Sequence, residues 1–287
     1  MRSAAAGTAI GPMVIVAAEQ HETLPLLVDP WAARLLPPAV RLAAASTRWA
    51  PLRGAIIAAA EKKIPGIWAA IACRKRYIDD RLLAAFDEGI DAVLILGAGF
   101  DSRACRLPQL AHIPVWEVDL PDNIAAKSKA LQRCFGSPPD NIRLTAVDFE
   151  TDDLADALRR DGFEPGMRTF IIWEAVTQYL TEWAVRQTLS HLCDPGPGSH
   201  LALTYVRKDF LDGHEMYGAE AGHHELVVAK QLWRFGLEPE QTVGFFAEYG
   251  WQEYGQAGSD EYSHLYVRPC GRAMDISPIE RSLAARR

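Results

Sequence analysis

The chain has 287 residues, 49% apolar and 23% charged, a mixture that builds a globular core and excludes a disordered polymer. Its formal charge is −7, with no basic block beyond Arg74-Lys75-Arg76, which argues against a nucleic-acid partner. Five dispersed cysteines (Cys73, Cys105, Cys134, Cys193, Cys270), with no Cys/His cluster, fit reduced cytoplasmic thiols and no zinc site. No stretch reaches the ~18 apolar residues of a membrane span, and no leader pattern opens the chain, so neither membrane insertion nor export is expected.

Residues 1–55 are alanine-rich and interrupted by Pro25, Pro30, Pro37, Pro38 and Pro51. This predicts short helices in an accessory segment or lid, ahead of a main domain over 56–287. Helical spacing then runs from Ala55 to Phe86, broken at Pro65-Gly66, and carries Arg74, Arg76, Asp79, Asp80 and Arg81 on its second half. The apolar run Val93 to Leu96 reads as a parallel strand buried on both faces, and it delivers Gly97 and Gly99 to its carboxyl end.

Further β-α units follow. A helix or turn from Ser102 to Ala111 precedes a strand at Val115 to Val118, a helix from Asn123 to Cys134 precedes one at Ile142 to Val147, and Asp152 to Arg160 precedes Thr169 to Trp173. A helix from about Thr181 to Cys193 leads to the fifth strand, His200 to Val206. Five such repeats predict an α/β, Rossmann-like fold with a mostly parallel seven-stranded sheet. Residues 208–232 break the rhythm and read as an inserted cap. The tail predicts a helix (Pro239 to Glu248) and an antiparallel edge hairpin, around Trp251 to Tyr254 and Ser263 to Arg268.

Successive strands end in acid: Glu117 and Asp119, then Asp148, then Glu174. Asp119 lies twenty-two residues past Gly97, near the spacing at which such folds grip ribose hydroxyls. An acidic rim repels diphosphates, the third glycine of the dinucleotide turn is absent, and no P-loop lysine exists, which disfavours an NAD-dependent dehydrogenase. A phosphate-free nucleoside fits better. S-adenosylmethionine offers a sulfonium, an ammonium, a ribose diol and an adenine amine, all of which acids can hold.

Five motifs in order carry a resemblance: R-x-R-x-I-D-D (Arg74 to Asp80), L-G-A-G-F-D-S-R-A-x-R (Leu96 to Arg106), E-V-D-L-P (Glu117 to Pro121), V-D-F (Val147 to Phe149) and W-E-A-V-T-Q-Y-L (Trp173 to Leu180). Together they resemble the leucine carboxyl methyltransferase family, including its branch of tetracenomycin-type polyketide O-methyltransferases; the tail segments Trp233 to Glu240 and Tyr266 to Pro269 are also similar. The resemblance implies a class I S-adenosylmethionine-dependent methyltransferase. It implies that Arg74 binds the cofactor's carboxylate and that Gly97, Ala98, Gly99 and Leu120 line its site. Asp119 would take the ribose, Asp148 and Phe149 the adenine, and Glu174 the amino-acid end. The chain departs from the family at Ala175, often glycine, and at Cys105, often tyrosine; an N-terminal basic residue of the eukaryotic members has only Arg34 as its candidate equivalent.

Methyl transfer from a sulfonium is an in-line displacement governed by orientation and exclusion of water. A carboxylate acceptor is already ionised at neutral pH and needs no base, whereas a phenol or alcohol does. A carboxylate acceptor, giving a methyl ester, is therefore preferred, and the resemblance to the polyketide-associated branch implies that it is a small molecule of secondary metabolism. The alternative is a hydroxyl or phenol deprotonated by His214, His223 or His224 of the cap, with Tyr179 a further catalytic candidate; a non-catalytic S-adenosylmethionine-binding protein is the third reading. Arg103, Trp173, Tyr179 and Tyr205 are candidate substrate contacts, each equally readable as an ion pair or core aromatic. A monomer or homodimer without metal is expected.

Overall fold

The computed structural model describes residues 10–192 and 195–287. Seven strands form one sheet in the order β3-β2-β1-β4-β5-β7-β6. They are β1 (Ala92–Leu96), β2 (Val115–Asp119), β3 (Ile142–Ala146), β4 (Thr169–Trp173), β5 (His200–Val206), β6 (Gln252–Ala257) and β7 (Glu280–Arg286). The first five are parallel, and β7 runs antiparallel between β5 and β6. The chain leaves β1 toward β2 and β3, then returns to β4 on the other side of β1. That reversal opens a crevice at the carboxyl ends of β1 and β4, where open α/β sheets bind ligands.

The N-terminal helices are α1 (Ile10–Glu19), α2 (Ala32–Leu35), α3 (Pro38–Ser46) and α4 (Ala50–Glu61), followed by the long α5 (Ile67–Asp87). Proline sits in the first turn of both α3 and α4, where its missing N–H costs nothing. Gly66, at φ +76, breaks α4 from α5; a Cβ there would meet Ser277 N at 2.2 Å. Residue 55 falls inside α4. Between the strands lie α6 (Arg103–Arg106), α7 (Pro121–Phe135), α8 (Leu154–Arg160) and α9 (Glu182–His191). Residue 193, where the last of these was expected to end, lies outside the described residues.

Alternation along the strands feeds two apolar cores. Val93, Ile95, Phe170, Ile172 and Ala202 join α1, α2, α5 and α7 on one face; Leu94, Leu96, Ile171, Trp173, Leu203 and Tyr205 join α8 and α9 on the other. The 208–232 segment forms α10 (Lys208–Leu211), α11 (Glu220–His223) and a wider helical turn over His224–Ala229. The tail helix α12 is Thr242–Ala247.

The expected strand at Ser263 to Arg268 is helical instead: α13 (Ser259–Tyr262) runs on into a turn over Ser263–Val267. Tyr262, Tyr266 and Val267 are buried there against the α5 side of the sheet, an anchorage that overrides the β propensity of aromatic and branched residues. The strand that pairs with β6 is β7, whose Leu283-Ala284-Ala285 core has a composition that favours helix. Ladders on both sides hold it extended. The edge pair is thus antiparallel as expected, but it is joined by a helical excursion rather than a tight turn.

Candidate functional site

A cavity of about 420 Å³ lies at the carboxyl ends of β1, β2 and β4, within the usual size of small-molecule sites. Its wall includes Arg74, Gly97, Ala98, Gly99, Asp119, Leu120, Asp148, Phe149, Glu174 and Tyr179. Ten residues spread over 105 positions of sequence are thereby brought to one place by the crossover topology.

The glycine turn is built by backbone contacts. Gly97 N and Ala98 N both donate to Val118 O, at 2.7 and 3.0 Å, so β2 holds the turn. Gly97 (φ +70) and Gly99 (φ +48) occupy left-handed conformations. A Cβ on Gly97 would lie 2.2 Å from Val176 Cγ2. Gly97→Ala is therefore expected to cost about 2–4 kcal/mol, the sum of backbone strain and overpacking. Denaturant titration checks this, and adding Val176→Ala should recover only the steric share.

Asp119 closes the turn from the next strand. Its Oδ2 accepts Gly99 N at 2.6 Å, and its Oδ1 accepts Leu120 N and Asn123 Nδ2, both at 2.7 Å. Burial pushes its pKa above the usual aspartate range, and these donors partly offset that. Glu117, on the same strand, is fully buried and pairs with Lys127 at 2.8 Å; Lys127 also donates to Asp101 O at 2.5 Å. Glu117 therefore supports the loop from beneath and does not line the cavity.

Glu174 sits amid three cations: Arg74 Nε at 3.0 Å, Lys75 Nζ at 3.1 Å and Arg103 Nη2 at 2.9 Å. Burial opposes its ionisation, but Lys75, Arg103 and Arg74 overcome that and hold the carboxyl well below its usual range. Arg74 also pairs with Glu280 on β7, and its basicity rises despite burial. The neighbouring Ala175 keeps φ +58 where the resembling family often has glycine, and its N–H donates to Thr204 Oγ1 at 2.8 Å. Glu150 joins the loops after β3 and β4 to the end of the cap: it accepts Thr181 N at 2.9 Å and Arg234 Nη2 at 2.7 Å.

Other expected contacts lie elsewhere. Trp173 and Tyr205 point to the α8–α9 face, opposite Glu174 and Thr204, because side chains alternate along a strand. Tyr205 Oη donates to Gln256 Oε1 at 2.7 Å, with burial raising its pKa. Arg103 is 1% exposed and committed to Asp79, Asp101 and Glu174, so it is a structural ion-pair centre rather than a substrate contact. His214 and His224 are exposed on the cap, while His223 packs edge-on to Phe210 and lies 3.3 Å from Leu211 O; none of the three lines the cavity. Arg34 lies over the Trp31 ring, outside the cavity. Cys105 is half-buried, and burial pushes its thiol up to about 12.

Sequence reasoning missed several wall residues: Pro12 and Met13 of α1, Lys75, Asn123, Glu150 and Arg234. Lys75 stands beside Arg74 and was legible as a neighbour on the same helix turn; Glu280 had no local signal. Among the described residues, no cluster of His, Cys, Asp and Glu could hold a metal, and no helix is long and apolar enough to cross a membrane.

The family model described as leucine carboxyl methyltransferase matches residues 9–193. A protein of Mycobacterium sp. (strain JLS), provisionally named an S-adenosyl-L-methionine-dependent methyltransferase, is 30% identical over 75% of this chain and 72% of its own. One of Mycobacterium bovis (strain BCG / Pasteur 1173P2) with the same name is 31% identical over 80% of this chain and 78% of its own. Among solved structures, a provisionally named methyltransferase of Thermobifida fusca YX aligns with a TM-score of 0.56 at 16% identity, covering 84% of this chain and 90% of that one. A DUF574 family protein of Streptomyces avermitilis MA-4680 gives 0.56 at 16% identity, covering 83% and 91%.

Proposed function

Because this chain belongs to the leucine carboxyl methyltransferase family and is an S-adenosylmethionine-dependent methyltransferase, we propose that it methylates the carboxylate of a small molecule to give a methyl ester. The observation that carries this reading is the make-up of the cavity wall: none of the chain's eight histidines lines it. Without a histidine to serve as base, an acceptor that is already an anion fits best, since it has no proton to lose. The Glu174 carboxyl is committed to three cations and held well below its ordinary range, so it is not poised to accept a proton near neutral pH.

The wall suits the cofactor's charge pattern. Asp119 would accept the ribose hydroxyls, Asp148 the adenine amine beside the Phe149 ring, and Glu174 the ammonium, with Arg74 facing the carboxylate. The bound cofactor supplies an electrophilic methyl group. Gly97, Ala98 and Gly99 let backbone approach it, while Met13 and Leu232 add apolar side chains to the wall. A metabolite acceptor rather than a protein is favoured by the likeness of the motifs to the polyketide-associated branch, which also carries the expectation of secondary metabolism.

Calorimetry with S-adenosylmethionine, then product assays on paired carboxylate and phenol acceptors, tests the reading. Binding without turnover on any acceptor would leave a non-catalytic binding protein. Replacing His214, His223 and His224 together should leave kcat within about twofold, whereas loss of a general base costs roughly 100-fold or more. A fall of that size would establish the hydroxyl alternative.

A further inference from the structure

Between Asp29 and Glu61 the chain contains no acidic residue and four arginines, Arg34, Arg41, Arg48 and Arg53, although the whole protein carries −7. Helices α3 and α4 occupy most of this span. α3 buries only Ala44, and α4 buries no residue at all. Leu42 is 77% exposed and Trp49 67%, with Val28 at 69% and Leu24 at 56% on the preceding loop. Arg34, Arg41 and Arg48 are exposed among them, while Arg53 is held by Glu22 and Thr47 O. The positive field reaches inward: burial lowers the pKa of His21, and Arg53 and Arg48 lower it further.

We propose that α3, α4 and the turn joining them are a peripheral docking surface for an anionic lipid bilayer. Apolar side chains beside arginines, with no acid between them, match a layer whose headgroups are negative and whose interior is hydrocarbon. Trp49 stands at the start of α4, an amphipathic ring of the type that settles at headgroup level. A second copy of the chain is a poorer occupant, since the face meets itself with like charge and its nearest carboxylates, Glu22 and Glu61, are already taken by Arg53 and by Gly66 N and Trp68 N. Adsorption of this kind needs no spanning helix. It also sets the protein's orientation: α3 packs on α1, whose Pro12 and Met13 line the cavity, so one helix separates the docked surface from the reaction site.

Co-sedimentation of the full chain with vesicles tests this independently of catalysis. Vesicles of phosphatidylcholine with phosphatidylserine should carry down at least about tenfold more protein than phosphatidylcholine alone, and added salt should release it. Leu42→Asp with Trp49→Asp should lose about tenfold or more of this binding, as should Arg41→Glu with Arg48→Glu, whereas Val243→Asp, at an exposed position of α12, should not. The second pair keeps the test alive if circular dichroism finds the first misfolded. Equal binding to both vesicle types, or retention by both double variants, overturns the proposal. So does sedimentation velocity revealing a dimer that Leu42→Asp with Trp49→Asp dissociates in a chain that ignores vesicles.

Discussion

Replacing Glu174 by glutamine is expected to cost about 3–5 kcal/mol of stability at neutral pH and to abolish methyl transfer. The side chain is 6% exposed and compensates Arg74, Lys75 and Arg103 at once. Removing its charge leaves three cations facing each other with little water to screen them, which is why the cost exceeds that of a surface ion pair. The pH dependence has a definite sign. The folded carboxyl is held below its ordinary range, so its contribution is present above the unfolded value near ~4.3 and fades as pH falls from there toward the depressed value. Urea midpoints of wild type and Glu174→Gln should therefore converge as the pH drops below about 4. A constant difference between them across that window would mean the carboxylate's charge is not what stabilises the site.

Asp119→Ala is expected to weaken S-adenosylmethionine binding by roughly 10- to 100-fold, the loss of a charge-assisted hydrogen bond from the ribose to the free lone pair of Oδ2 at about 1.5–3 kcal/mol. The same change frees Gly99 N, Leu120 N and Asn123 Nδ2, so the glycine turn loosens as well. Asp119→Asn separates the two effects in part, since its one amide oxygen can still accept from Leu120 N and Asn123 Nδ2 while its NH2 group faces Gly99 N and the charge is gone. Calorimetry should then find intermediate affinity, with a melting temperature between those of Asp119→Ala and wild type. Wild-type affinity in Asp119→Ala would remove the ribose role and, with it, the nucleoside reading of the cavity.

Much of the sheet was legible because each of the five parallel strands is a local event. Thr169–Trp173 and His200–Val206 are apolar runs bounded by polar residues, and they form strands with the expected bounds. The acids that end β2 and β4, together with Asp148 just past β3, were visible for the same reason: an apolar run meets a charge at its carboxyl end. The helical C-terminal excursion and β7 were not legible. Tyr262, Tyr266 and Val267 have strand-like composition yet pack as a helix against α5, and Leu283-Ala284-Ala285 has helix-like composition yet is paired on both sides. In both cases burial against distant elements outweighs a local preference of at most about 1 kcal/mol per residue.

The sequence by itself determined a Rossmann-like chain order, a glycine turn at the end of β1 and the acids that follow it, because hydrophobic runs, turn glycines and strand-end charges are local properties. Only the tertiary structure decided which side of the sheet each residue faces. Trp173 and Glu174 are adjacent in sequence yet enter opposite layers. It also decided the partners of Arg74, one of which, Glu280, lies 206 residues away on a strand with no strand-like composition. Ion pairs across such separations leave no mark on the intervening chain. They exist because α5 packs on the face toward which Glu174 and β7 turn their carboxylates.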